Sequence, residues 1–113
     1  MKKILIVIAL LLLTGCSNKI ANGKVTCSQK NTLLENNAVL VDVRTKEEYE
    51  AGHLNDAINA PLDNVVAELK DYDKDTAIIV YCKSGVRSNK AYEALTNAGY
   101  TNLYDLGSIS NCN

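Results

Sequence analysis

The chain has 113 residues, 47% hydrophobic and 22% charged, which bounds it to one ordinary globular domain. Twelve basic against 13 acidic side chains give a formal net charge of -1, so no basic surplus points to nucleic acid. Trp and Phe are absent and the six tyrosines are scattered, which argues against an aromatic platform for bases or sugars.

The first segment, MKKILIVIALLLLTGC, opens with Lys2 and Lys3 and then runs apolar from Ile4 to Leu13. That is the layout of a secretory signal peptide, and the run is shorter than the roughly 20 residues a membrane-spanning helix needs. Its end, Leu13 to Cys16, resembles a bacterial lipobox, with cleavage before Cys16 and lipid on the new N-terminus. Thr14 and Gly15 are small, as a protease cutting there requires. The bland alternative is an ordinary signal peptide with a chance cysteine. The expected organisation is a leader over 1–15, a polar tether over 16–24 and a folded domain over 25–113, held by lipid on the extracytoplasmic face of the cell membrane. Disulfides persist outside the cytoplasm. With Cys16 lipidated, Cys27, Cys82 and Cys112 remain, and an odd number leaves at least one thiol unpaired or reactive. No C-x-x-C occurs, so neither a thioredoxin-like dithiol nor a zinc knuckle is supported, and no metal or cofactor is expected.

Beyond residue 24, apolar runs alternate with polar, helix-patterned ones. Val25–Cys27 reads as a short strand, and Ser28 as the cap of a helix reaching Asn36. Ala38–Val43 is short and β-branched, a buried strand. Thr45 and Glu48 form a capping box for a helix ending near Ala51, stopped at Gly52. Ala57–Asn59 is a brief strand before Pro61. Asp63 is a candidate cap for a helix that places Val65, Val66 and Leu69 on one face. Ala77–Tyr81 is the second strong strand. Ala91, Ala94, Leu95 and Ala98 repeat at helical spacing up to Gly99, and a last short strand falls near Leu103–Tyr104. Strands and helices in strict alternation predict an α/β fold with a mainly parallel sheet. Ligands of such sheets bind beyond the carboxyl ends of the strands, where Cys82 and Asp42 to Arg44 stand.

The stretch CKSGVRS, Cys82 to Ser88, follows a strand and opens a helix. A thiolate is the nucleophilic form of cysteine, and a helix N-terminus with nearby cations favours it. Lys83 and Arg87 supply the charge. Gly85 permits dihedrals closed to other residues, so successive amides can turn inward as an anion nest. The bland reading of a cysteine after an apolar strand is a small buried hydrophobe.

Two segments carry a family resemblance. LVDVRTKEEYEAGHLNDAINAPL, Leu40 to Leu62, and IIVYCKSGVRSNKAYEAL, Ile78 to Leu95, resemble the two signature regions of the rhodanese sulfurtransferases in their small single-domain form. The likeness runs from about Val25 to Leu106. It implies a small rhodanese-like fold, with a mainly parallel sheet of about four to five strands flanked by helices. It also implies covalent catalysis in which Cys82 takes a sulfur from a donor such as thiosulfate and passes it to cyanide or a thiol. On that reading the loop residues Lys83, Ser84, Gly85, Val86, Arg87 and Ser88 bind the substrate sulfur, with Arg87 closing the loop and Lys83 recruiting an anionic donor. The partners expected are a small sulfur donor, a thiol or cyanide acceptor and the membrane, with no nucleic acid, for a protein acting as a monomer. A non-catalytic rhodanese module for partner binding or sulfur carriage is the second reading. Phosphatases of similar fold use Cys-x5-Arg, whereas four residues separate Cys82 from Arg87 here. That loop suits a sulfur atom better than a phosphoryl group.

Asp42 and Arg44 are expected to be scaffold. Asp42 would accept bonds from the loop backbone, and Arg44 would pair with Glu48 or Glu50. His53 is expected to fix a turn, Tyr81 to pack, and Glu47, Glu48 and Glu50 to form a solvated helix face. The tail LGSISNCN departs from the family, which has Gly-Gly and then a tryptophan four residues later. Ser108 replaces the second glycine, Cys112 falls where the tryptophan would be, and the C-terminal helix is missing. The site is therefore expected to be more open. Cys27 and Cys112, the two cysteines besides the nucleophile, stand at opposite ends of the domain. They form either a disulfide or two free thiols.

Overall fold

The computed structural model describes residues 19–113, so the leader and Cys16 lie outside the described residues. Nine elements alternate: β1 (Gly23–Lys24), α1 (Cys27–Glu35), β2 (Val39–Asp42), α2 (Lys46–Ala51), β3 (Ile58–Asn59), α3 (Val65–Glu68), β4 (Ile78–Cys82), α4 (Val86–Asn97) and β5 (Leu103–Ser108). The strands form one parallel sheet in the order β1-β5-β4-β2-β3. Alternation along the buried strands divides the core in two. Ile78, Val80 and Cys82 face a cluster with Val65, Leu69, Ala91 and Leu95 from α3 and α4. Ile79 and Tyr81 face the other side with Leu40, Tyr104 and Leu106, covered by Leu33 and Leu34 of α1 and Tyr49 of α2.

The α/β architecture matches the alternation read from the sequence, but several boundaries move. Thr26, not Ser28, caps α1. Its hydroxyl accepts the Gln29 N–H at 3.1 Å and its own N–H donates to the Gln29 side chain at 2.9 Å, a capping box. Cys27 is thereby drawn into the helix, and the first strand shifts back to Gly23–Lys24. The sheet thus takes up the end of the stretch expected to be tether, and Ile20 already packs on the core. The helix expected from Asp63 is a 3-10 turn over Leu62–Asn64 followed by four α-helical residues, and Asp63 makes no cap bond. Val65 and Leu69, four apart, are buried, whereas Val66 is 36% exposed and leaves the face predicted for it. The last strand is longer than Leu103–Tyr104 because a bulge after Val80/Asp105 lets pairing continue to Ser108.

The residues after β5 form a 3-10 turn, Ile109–Cys112, and Cys112 is disulfide-bonded to Cys27 with Cα atoms 5.3 Å apart. The bond closes a loop of 85 residues, almost the whole domain. Reduction is expected to lower stability by about 2–5 kcal/mol, read as a shift of the urea midpoint with and without reductant. An unchanged midpoint would show that the bond does not form in solution.

Candidate active site

The end of β2 is the first fixed point of the catalytic edge. The buried Asp42 carboxylate accepts the Arg44 backbone N–H at 2.9 Å, its Nε at 3.0 and 3.1 Å and its NH2 at 2.7 Å. Arg44 therefore pairs with Asp42 rather than with Glu48 or Glu50. A carboxylate two residues away in an extended segment is already desolvated, whereas those glutamates sit on an exposed helix. Tyr81 donates from its hydroxyl to Asp42 Oδ2 at 2.8 Å and accepts the Leu54 N–H at 3.1 Å. Burial first, then the bond to Asp42, hold the phenol proton well above its usual range, so Tyr81 is more than packing. Arg44 NH2 also reaches the Gly52 carbonyl at 2.7 Å, and the Asn59 amide donates to the carbonyls of Asp42 and Arg44 at 2.9 and 3.0 Å. Together these bonds tie β2, β3, β4 and the end of α2 into one frame. His53 stacks on Tyr49 and meets its carbonyl at 2.8 Å, which fits the expected turn-fixing role.

Cys82 is the last residue of β4 and is wholly buried. Its Sγ accepts the Gly85 N–H at 3.0 Å and the Ser88 N–H at 3.2 Å. Gly85 makes this geometry with φ of 98°, a conformation that strains any residue with a side chain. The Ser88 hydroxyl donates back to the Gly85 carbonyl at 3.2 Å and locks the turn. Burial pushes the thiol up. The amides of Ser88, Gly85 and Ser84 outweigh it, and the net shift is downward. The thiolate is therefore favoured chiefly by hydrogen bonds from the first turn of α4.

The cations of the loop stand elsewhere. Arg87 forms a two-toothed pair with Glu48, at 2.7 and 3.1 Å. That bond, followed by the Thr45 amide, lowers the Glu48 carboxyl to about 2. Arg87 thereby clasps α4 to α2. Lys83 is exposed, and its carbonyl accepts the Ser108 hydroxyl at 2.6 Å. The loop is thus held on both flanks, by α2 and by the residues after β5. Ser84 and Val86 face solvent. Glu48 and Ser108 are the site residues that sequence reading missed. The capping box accounted for Glu48 completely, and its second partner lies 39 residues away. Among the described residues no group of three or more metal-ligating side chains gathers.

The rhodanese-like domain model matches residues 27–111, and the chain belongs to that family. It is 34% identical over 86 residues to a tRNA uridine(34) hydroxylase of Erwinia tasmaniensis, covering 70% of this chain and 25% of that protein. A rhodanese-like domain protein from Staphylococcus aureus is 31% identical, with a TM-score of 0.69 over 82% of this chain and 92% of that one. A rhodanese with anions from E. coli is 32% identical, with a TM-score of 0.58 over 66% and 89%. The chain therefore spans about a quarter of the curated relatives it matches but most of each of these two solved structures.

Two outcomes follow from this geometry. Alkylation of Cys82 by iodoacetamide rises with pH as the thiolate forms. Its midpoint should fall below the ordinary cysteine value of about 8.5 and should climb when Gly85→Ala displaces the amide. The Glu48 carboxyl is depressed on folding, so its contribution is full above its ordinary value and drains as pH falls through about 2. Because the Arg87 and Glu48 side chains are 33% and 30% exposed, Glu48→Gln should cost only about 1 kcal/mol or less near neutrality, and nothing in strong acid, by urea titration.

Proposed function

We propose that this protein is an exported, lipid-anchored sulfurtransferase that carries a sulfane sulfur on Cys82. The observation behind it is the seat of the Cys82 sulfur, where two amides of a helix's first turn already donate to it. The Cys82 thiolate attacks the outer sulfur of thiosulfate. The S–S bond of the donor breaks, and its electron pair leaves with sulfite. The persulfide so formed spreads its negative charge toward the amides between Lys83 and Ser88. Cyanide or a thiolate then attacks the outer sulfur, and the electron pair of the broken bond returns to Cys82. No general base, metal or redox cofactor is invoked. Because Cys82 is inaccessible at rest, the exposed segment at Ser84 and Val86 must yield for a donor to enter. Lys83, exposed beside that entrance, attracts an anionic donor.

Hydroxylation, the activity in the relatives' name, is not carried over, because the match spans about a quarter of those proteins. A non-catalytic module is the competing reading, and the intact Cys82 with its cradle favours the enzyme. For the anchor, no described helix is long and apolar enough to cross a membrane. With Ile20 packed on the core, residues 17–19 alone separate the proposed lipid from the fold, at most about 10 Å of chain. Such a domain would act at the bilayer surface as a monomer.

Incubation with thiosulfate should add the mass of one sulfur atom, and Cys82→Ser should abolish the gain. No gain, together with no thiocyanate from cyanide, would leave the non-catalytic module. Cys16→Ser should release the protein from membranes on fractionation, and unchanged association would overturn the anchor.

A further inference from the structure

A hollow of about 310 Å³ opens at the carboxyl ends of β1, β5 and β4, on the side of the loop opposite Glu48. Lys24, Ser84, Gly85, Asp105, Ser108 and Asn111 line it, among others. Asp105 is the unusual member. It is 4% exposed, and its Oδ1 accepts the Gly107 N–H at 2.9 Å. Among the described residues no donor meets its Oδ2 and no cation pairs with it. A buried carboxylate with unused acceptor capacity favours a ligand that brings a donor, most of all a positive one.

Lys24 stands beside it. The two residues are in register across the parallel β1–β5 ladder, so their side chains leave the same face of the sheet. Lys24 is exposed and forms no ion pair among the described residues. One anion and one cation, about 4.8 Å apart at their strands, therefore sit side by side without joining. That is the complement of an α-amino-acid head group, whose ammonium and carboxylate flank a single carbon. Ser84 and Gly85 form the wall toward the nucleophile, and the Gly85 amide that bonds Cys82 Sγ is 3.0 Å from it.

We propose that this hollow binds the head group of an amino-acid thiol, cysteine or a peptide ending in such a group, and that this thiol is the sulfur acceptor. Asp105 takes the ammonium and Lys24 the carboxylate. The proposal rests on the sulfur-transfer reading of Cys82. In the step, the acceptor thiolate attacks the outer sulfur of the Cys82 persulfide. The bond from that sulfur to Cys82 Sγ breaks, its electron pair restores the Cys82 thiolate, and the acceptor leaves as a persulfide. One thiolate is consumed and one regenerated, so no oxidant or reductant is required.

The test uses purified full-length protein and begins with an unreactive probe. S-methylcysteine should bind in isothermal titration calorimetry, and Asp105→Asn, which keeps an acceptor for the Gly107 N–H, should weaken binding about tenfold or more. Lys24→Met should weaken it likewise. No binding by the wild type, or equal binding by Asp105→Asn, overturns the site. In turnover, the kcat/KM for cysteine relative to cyanide should fall about tenfold in Asp105→Asn. An unchanged ratio overturns the acceptor role. Glutathione carries the same head group at one end, and 3-mercaptopropionate lacks the ammonium. A glutathione preference lost in Asp105→Asn supports the peptide source, and a cysteine preference lost there supports the free amino acid. Equal use of 3-mercaptopropionate counts against the ammonium contact. Because S-methylcysteine binding does not need a persulfide, probe binding without sulfur uptake from thiosulfate would overturn the transfer chemistry and the acceptor role while keeping the head-group site.

Discussion

The edge of the sheet that carries Cys82 depends on the buried ion pair between Asp42 and Arg44. A carboxylate removed from water is costly unless every lone pair is engaged. Here Arg44 and the Tyr81 hydroxyl engage it, and Arg44 extends the contact to the Gly52 carbonyl at the end of α2. One charged group thereby fixes the exits of β2 and β4 and the far end of α2. The position of α2 in turn decides whether Glu48 can reach Arg87, and so whether the sulfur loop is clasped. The net stabilisation from such a pair is small, since desolvation offsets most of the attraction. Its consequence is geometric, because every alternative arrangement leaves a buried charge exposed to nothing.

The sulfur cradle answers a different electrostatic problem. The Cys82 thiol sits where burial alone would keep it protonated, and fixed amide dipoles reverse that balance. Point charges from Lys83 and Arg87 are less suited to the task. A lysine in water is screened, and an arginine bound to Glu48 acts first on that carboxylate and only more weakly on Cys82. Amides held by Gly85 and by the start of α4 need no reorganisation when the charge appears. The two ends of the loop are bound to α2 and β5, while Ser84 and Val86 between them stay exposed.

The tail shows how the residues after β5 are fastened. Ser108 bonds the loop, and the Ile109–Cys112 turn carries the disulfide to Cys27. The same arrangement leaves a polar hollow beside Gly85 with Asp105 facing Lys24. A small core has little apolar surface with which to fasten its ends, and a covalent bond between the two termini of the domain offsets that shortage.

Much of this was legible in the residues alone. Local rules sufficed for the Thr45–Glu48 box, the alternation of buried strands, the glycine of the Cys82 loop and the start of α4, but not for the cap of α1 or the partner of Arg44. The spacing of Cys82 and Arg87 also belongs to the sequence, since it follows from neighbours along the chain. What only the tertiary structure decided is every pairing between distant elements. Glu48 chose Arg87, Tyr81 donated its hydroxyl to Asp42, Cys27 met Cys112, and Lys24 came level with Asp105. Each choice depends on which side chains the parallel sheet brings to one edge, and on which charges it removes from water. Neither quantity exists until strands far apart in sequence have been set side by side.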